Sequence, residues 1–512
     1  MHQRAVGLAL VLLLCAAVAR ASDDVVVDID PGRVRGAALD GGVAAFRGIP
    51  YAAPPVGELR WRPTQPVEPW AGVRDAKAFG PDCPQPVHEG RMSHPQSEDC
   101  LTLNVITPDA GAKGLPVLVS IHGGAFFSGS GRYLAEADAQ PIVREGIVLV
   151  SPNYRLGRLG FFAHPELTRR SRERGDDLAN YWLMDQIAAL QWVRRNIHVF
   201  GGDPENVTIL GCSAGGSSIN ALMAAPDAGR LFARASARSG GGFFNATRPL
   251  DVAQDQGREY AARSGDGDVD GAEALDRLLA MGAQEILALE SGPPNFGAVV
   301  DGRLLHEPTS ASFANARAAQ VPYMVGSTSD EASVFGLMGF DRKVLAERFG
   351  VDLDALRRHY GDASRIDEAE LLRQVQTDFI FTSASLGMAT LAAAAGSPTY
   401  AYHFDYVRES EAAAAKGAAH CADMPYSFGL VDTPAADDAR ISAMMQDYLV
   451  SFVRDGDPNV AGRPPWPRFG TVSPATLVIG AATQAVPEFR ARQLAPWYRR
   501  WERESGEALP RH

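Results

Sequence analysis

Val207-Thr208-Ile209-Leu210-Gly211-Cys212-Ser213-Ala214-Gly215-Gly216 is the stretch that decides the fold. Val207 to Leu210 is β-branched and apolar and reads as a short buried strand. It breaks at Gly-x-Ser-x-Gly, and a helix-compatible run from Ser217 to Ala225 follows, closed by Pro226. Strand, tight turn and helix together are the setting of a nucleophile elbow, in which Ser213 sits on a strained turn with its hydroxyl exposed. The bland alternative is a glycine-rich turn carrying a surface serine. With 51 glycines in 512 residues the pattern alone is weak, so partners elsewhere in the chain must decide.

Working outward, Leu183, Ile187, Leu190, Val193 and Ile197 fall on one helical face, and Gly201-Gly202 stops that helix just before the elbow strand. A helix between two strands is the crossover unit of a parallel sheet. Upstream strands are expected at Pro116–Ile121, which ends in His122-Gly123-Gly124-Ala125-Phe126-Phe127, and at Ile147–Ser151. Val25–Asp28, Val34–Ala38 and Val43–Phe46 are short alternating runs that open the sheet in antiparallel fashion. Later strands are expected at Pro322–Val325, Thr399–Phe404 and Thr476–Ile479, and helices at Ala439–Val453 and near the C-terminus. The stretch 341–395 is helical in pattern and is expected to pack over the carboxyl edge of the sheet. The expectation is a single α/β domain over 22–512, with 341–395 as a helical insertion.

Hydrophobic residues make up 46% and charged residues 21% of the chain, an ordinary globular composition. The net charge is −12, which disfavours nucleic acid and anionic lipid as partners. Residues 1–21 read as a signal peptide: Arg4 is the positive start, Ala5–Ala19 the apolar core and Ala19-Arg20-Ala21 the cleavage site. The run is too short to span a membrane, and no later stretch qualifies. A lipid anchor at Cys15 is the competing reading, against which the bulky Leu14 argues. A secreted or periplasmic protein is expected. Cys83, Cys100, Cys212 and Cys421 then remain, an even count that favours disulfides, with reduced buried thiols as the alternative.

Taken in order, several segments resemble the type B carboxylesterase/cholinesterase family of α/β-hydrolases. They are Gly48-Ile49-Pro50-Tyr51-Ala52, Glu98-Asp99-Cys100-Leu101, His122-Gly123-Gly124, Asn153-Tyr154-Arg155-Leu156-Gly157, Phe200-Gly201-Gly202-Asp203-Pro204 and the elbow. Phe296-Gly297-Ala298-Val299-Val300-Asp301-Gly302, Asp330-Glu331 and the surroundings of His420 continue the match. The resemblance implies an α/β-hydrolase fold, a mostly parallel twisted sheet flanked by helices, and a serine esterase acting on carboxylic esters. No cofactor and no metal are implied, and the partner is a small-molecule ester. Thioester or amide hydrolysis uses the same machinery, and a non-catalytic binding relative is the reading from a different class.

Acyl transfer needs a nucleophile, a base, an acid that orients the base, and donors for the oxyanion. Ser213 is the candidate nucleophile. The resemblance assigns the acid to Glu331, with Asp330 as runner-up, and the base to His420, in the order serine, acid, histidine. His122 belongs to the glycine turn, where a structural role suits it better. The oxyanion donors are expected to be the N–H groups of Gly124, Ala125 and Ala214. Where the family has glutamate before the serine and glycine after the histidine, this chain has Cys212 and Cys421. That arrangement resembles tannases and feruloyl esterases, and it implies a Cys212–Cys421 disulfide, with Cys83–Cys100 as the family's first loop bridge. Phe126, Phe127, Phe243, Phe244 and Phe335 are candidates for an apolar gorge. Bulky aromatic or polyol esters, including tannin-like, polyester or mycotoxin esters, are the specialised substrate classes.

Overall fold

The computed structural model describes residues 24–510, except 88–93, 137–139, 242–246, 292–295, 338–339, 362–365 and 433. The expected signal peptide, Phe243 and Phe244 therefore lie outside the described residues. In chain order the strands are β1 (Val25–Ile29), β2 (Gly32–Ala38), β3 (Ala44–Pro50), β4 (Val73–Asp75), β5 (Thr102–Thr107), β6 (Leu115–Ile121) and β7 (Val148–Pro152). They continue as β8 (Gly202–Cys212), β9 (Arg234–Arg238), β10 (Arg248–Pro249), β11 (Val299–Val300), β12 (Tyr323–Thr328), β13 (Thr399–Phe404), β14 (Ala475–Ile479) and β15 (Gln484–Pro487). One sheet runs β1-β2-β3-β5-β7-β6-β8-β9-β12-β13-β14-β15, with β4 beside β2, while β10 and β11 form a separate pair.

From β7 to β14 every neighbouring pair is parallel, and antiparallel strands close both ends. This is the α/β-hydrolase architecture. Parallel strands need helical crossovers on both faces, so the central strands are buried along their length and read as apolar runs. All of Val148–Pro152 and the last six residues of β8 are buried. The crossover helix Tyr181–Asn196 ends in a 3₁₀ turn at Phe200, where Gly201 takes a left-handed conformation. The elbow strand begins at Gly202, five residues before the apolar run announces it.

The described residues of 341–395 are mainly helical, and they do not all lie over the carboxyl edge. Helix Glu368–Thr377 reaches the loop after β12, where Ala332 N–H donates to Thr377 Oγ1 at 3.2 Å. Helix Ser383–Ala394 instead packs on the sheet face under β12 and β13, and ten of its twelve residues are buried. Its sequence, Ser-Ala-Ser-Leu-Gly-Met-Ala-Thr-Leu-Ala-Ala-Ala, has no polar face to present to solvent, so it is a core helix rather than a covering one.

Candidate active site

The elbow is built by close approach. Ser213 has φ 61° and ψ −125°, a strained conformation for a residue with a side chain, and helix Ala214–Ala224 starts directly after it. A Cβ on Gly215 would lie 2.3 Å from the Ile121 carbonyl oxygen, so only glycine lets the helix reach the end of β6. The helix therefore begins at Ala214, three residues earlier than the sequence suggested. Ser213 N–H donates to the Arg238 carbonyl at the end of β9, at 2.9 Å, which holds the turn to the sheet.

Glu331, the expected acid, follows β12 and is fully buried. Glu331 Oε1 accepts from Thr328 N–H at 2.7 Å and from the Ser239 hydroxyl at 2.6 Å, and Oε2 accepts from His420 Nδ1–H. Asp330, the runner-up, turns away and pairs with Arg373 at 3.1 Å. The histidine loop is fastened to the acid loop by three bonds. Asp330 N–H donates to the Ala418 carbonyl at 2.8 Å, Ala418 N–H to Ser329 Oγ at 2.8 Å and His420 N–H to Ser333 Oγ at 2.9 Å. Phe381 packs on the His420 ring at 4.7 Å. With Nδ1 committed to the carboxylate, Nε2 carries the free lone pair, and it is buried with no hydrogen-bond partner.

His420 and Ser213 are joined through their neighbours. Cys212 and Cys421 form a disulfide with a Cα–Cα distance of 6.1 Å, so the residue before Ser213 is bonded to the residue after His420. Cys83 and Cys100 form the other bridge. A buried ion pair runs beside the first: Arg238 Nη1 lies 3.1 Å from Asp423 Oδ2, and the Tyr402 hydroxyl donates to the same oxygen at 2.7 Å.

The glycine turn after β6 lies against the serine, for a Cβ on Gly123 would be 3.2 Å from Ser213 Cβ. Gly124, Ala125 and Phe126 all have positive φ, at 111°, 51° and 64°. A Cβ on Gly124 would strike the Ser128 carbonyl oxygen at 2.0 Å. Successive residues in this conformation turn their N–H groups to one side, as an anion site requires. His122 is not a second base. Its Nδ1–H donates to the Gly123 carbonyl at 2.9 Å, its ring stacks on Tyr154 at 4.3 Å, and burial pushes its pKa down to about 4.

Aromatic clusters flank both sides. Phe126 packs on Phe161 and Trp182, and Phe161 on Phe296. Phe335 packs on Phe340 and on Phe381, which touches the histidine. The gorge expectation for Phe126 and Phe335 thus meets two residues that are buried, at 4% exposure each, and act as second-row supports. Two contributors escaped the sequence reading: Ser239, which follows a strand with no apolar bulk, and Phe381.

The carboxylesterase family model matches residues 23–497. The chain belongs to the carboxylesterase family. The esterase is 35% identical over 480 residues to phenmedipham hydrolase of Pseudarthrobacter oxydans, covering 87% of this chain and 93% of that one. It is 33% identical to fumonisin B1 esterase of Sphingopyxis macrogoltabida, covering 88% and 86%. Among solved structures, a carboxylesterase of Geobacillus stearothermophilus superposes with a TM-score of 0.80 at 33% identity, covering 92% of this chain and 99% of that one. The protein is a serine carboxylic ester hydrolase.

Proposed function

We propose that the esterase works through an acyl-enzyme on Ser213, with His420 as base, Glu331 as orienting acid, and Gly124, Ala125 and Ala214 as oxyanion donors. The observation that carries this is the buried line Ser239–Glu331–His420, tied to the elbow by Cys212–Cys421. Ser213 Oγ attacks the ester carbonyl as His420 Nε2 takes its proton. The tetrahedral oxyanion draws on the N–H donors, each worth about a hundredfold or more in rate. The alkoxide then leaves with the proton from His420, and water repeats the sequence to release the acid. In the unliganded protein Ser213 and His420 share no hydrogen bond, and such bonds commonly tighten on substrate binding.

A binding-only role is disfavoured because every part of this machinery is retained. Two disulfides support export to an oxidising compartment, and no helix among the described residues is long and apolar enough to cross a membrane. Labelling with a fluorophosphonate followed by peptide mapping tests the reading. One modified residue, Ser213, is expected, and Ser213→Ala is expected to lose both label and turnover while keeping its melting temperature. Full ester hydrolysis by that variant would overturn the mechanism.

A further inference from the structure

A cavity of about 440 Å³ opens between helix Ser383–Ala394, strand β14 and the C-terminal helix Ala491–Ser505. None of the described residues that line it belongs to the candidate site. Leu386, Phe469, Phe489, Leu494 and Tyr498 give it apolar walls. Its charged residues, Glu488, Arg499 and Glu502, are of both signs, and Glu488 and Arg499 are exposed. Sites for small ligands span about 300–1,000 Å³ and have this make-up, apolar with a few polar groups. An ion taken between such walls would lose its water without a matched partner, whereas an uncharged alkyl-rich molecule gains by burial. An ester with alkyl groups on both sides has that character.

The cavity is tied to His420 by a continuous run of contacts. Phe489 packs on the His403 ring at 4.7 Å. His403 Nδ1 lies 3.1 Å from the Ser327 hydroxyl, which donates to Thr382 Oγ1 at 3.2 Å. Arg490, next in sequence, donates twice to Asp378, at 2.9 and 2.6 Å. Asp378 and Thr382 are the two ends of a π-helical turn, from which the helix carrying Leu386 continues directly. Both ends of the turn are therefore tied back to the corner at Phe489-Arg490. Between them stands Phe381, whose ring packs on His420 at 4.7 Å. Such turns are rare and are frequent at functional sites.

We propose that the cavity is an effector site for an uncharged, alkyl-rich ester, and that filling it steadies the turn and holds Phe381 against His420, so that kcat rises. The proposal rests on the catalytic reading given above, through His420, and adds a control to it. No bond is made or broken at the second site. Ordering by one ligand couples two sites without any large rearrangement. Displacements near 1 Å at a reacting pair cost on the order of a hundredfold, so recovering about a quarter of that distance is worth about threefold.

Dibutyl ether is the probe, because it is uncharged and alkyl-rich and has no acyl bond to break. Its binding is titrated by calorimetry on protein blocked with a fluorophosphonate, and kcat for 4-nitrophenyl acetate is measured on the native enzyme with and without it. Binding of one equivalent and a rise in kcat of about threefold are expected. Binding beside Ser213 alone would raise KM and leave kcat unchanged. Hexanoate, an anion of the kind ester hydrolysis releases, is expected to leave kcat unchanged. Ala495→Phe and Ala491→Trp, which fill the cavity, are each expected to weaken ether binding by about tenfold or more and to abolish the rise. Ala491 is exposed, so its variant keeps the test open if Ala495→Phe fails to fold. Absence of binding, binding without a change in kcat, a response indifferent to both substitutions, or an equal response to hexanoate overturns this inference alone. Absence of turnover together with absence of fluorophosphonate labelling overturns the catalytic reading beneath it.

Discussion

Replacing Cys212 and Cys421 by serine separates two jobs that the bridge performs. The first is thermodynamic. The bond closes a loop of 209 residues, which the chain-entropy relation values at about 5 kcal/mol, against about 3 kcal/mol for the 17-residue separation of Cys83–Cys100. The second job is alignment. His420 is fastened to the acid loop by hydrogen bonds that survive the change, so the histidine–glutamate pair stays intact. Among the described residues the Arg238–Asp423 ion pair, reinforced by Ser427 and Tyr402, still ties the histidine loop to β9, whose Arg238 carbonyl accepts from Ser213 N–H. With only that link, a shift near 1 Å between Nε2 and Oγ becomes accessible, and such shifts cost on the order of a hundredfold in rate. The double variant is therefore expected to lose about 10- to 100-fold in kcat and to label with fluorophosphonate correspondingly slowly. Its melting temperature should fall further than that of a Cys83→Ser/Cys100→Ser variant. Both quantities come from the same preparations, by stopped-flow labelling and calorimetry. An unchanged kcat would show that the ion pair alone holds the register, and melting indifferent to the longer loop would refute the entropic argument.

Glu331→Gln is expected to lower kcat by at least a hundredfold, and Asp330→Asn to cost far less, because only Glu331 reaches His420; the reverse order in steady-state kinetics would move the acid. Ser239→Ala removes one of two donors to Glu331 Oε1, each worth about 1.5–3 kcal/mol for a charged acceptor. A drop of about tenfold or more in kcat with KM little changed is expected, with Ser239→Thr recovering part of it. His403 is buried, and desolvation pushes its pKa down to about 3, below the reference value of 6.5. The unfolded chain therefore binds a proton there between pH 6.5 and 3 that the folded chain refuses, so stability falls as pH falls through that window, by about 1.4 kcal/mol per unit. Urea titrations across the range should show a shallower acid loss in His403→Gln than in the native protein.

The elbow, the glycine turn and the strands around them were legible because each carries a local signal: an apolar run, a break at glycine, a change of period. β9 gave none. Arg234-Ala235-Ser236-Ala237-Arg238 is a central strand between β8 and β12, yet its small residues carry no apolar run to mark it. Its neighbour β12 is equally tight, for a Cβ on Gly326 would lie 2.4 Å from the Tyr402 ring. Ser239 was hidden for the same reason, since nothing near it in sequence points to a carboxylate 92 residues away. Glu331 and His420 were reached through the family resemblance, and the hydrogen bond between them is a product of the fold alone. The cysteine pair shows the opposite case. An odd residue at each of two motif positions was enough to imply the bond, because both motifs belong to one site.

Ser213 leaves β8 and Glu331 follows β12, with β9 between them, and the strand preceding His420 is the next one over. Strands in a sheet stand about 4.8 Å apart, a spacing set by backbone hydrogen bonds and indifferent to side chains. Sideways dimensions of the catalytic centre are therefore counted in whole strands. The spacing of the strands beneath it changes only when a strand is added or lost. Height above the sheet has no such ruler, because the loops that leave these strands can lengthen, shorten or turn. Variation in this enzyme is thus channelled outward, into the loops above the sheet, while the strands beneath keep their spacing.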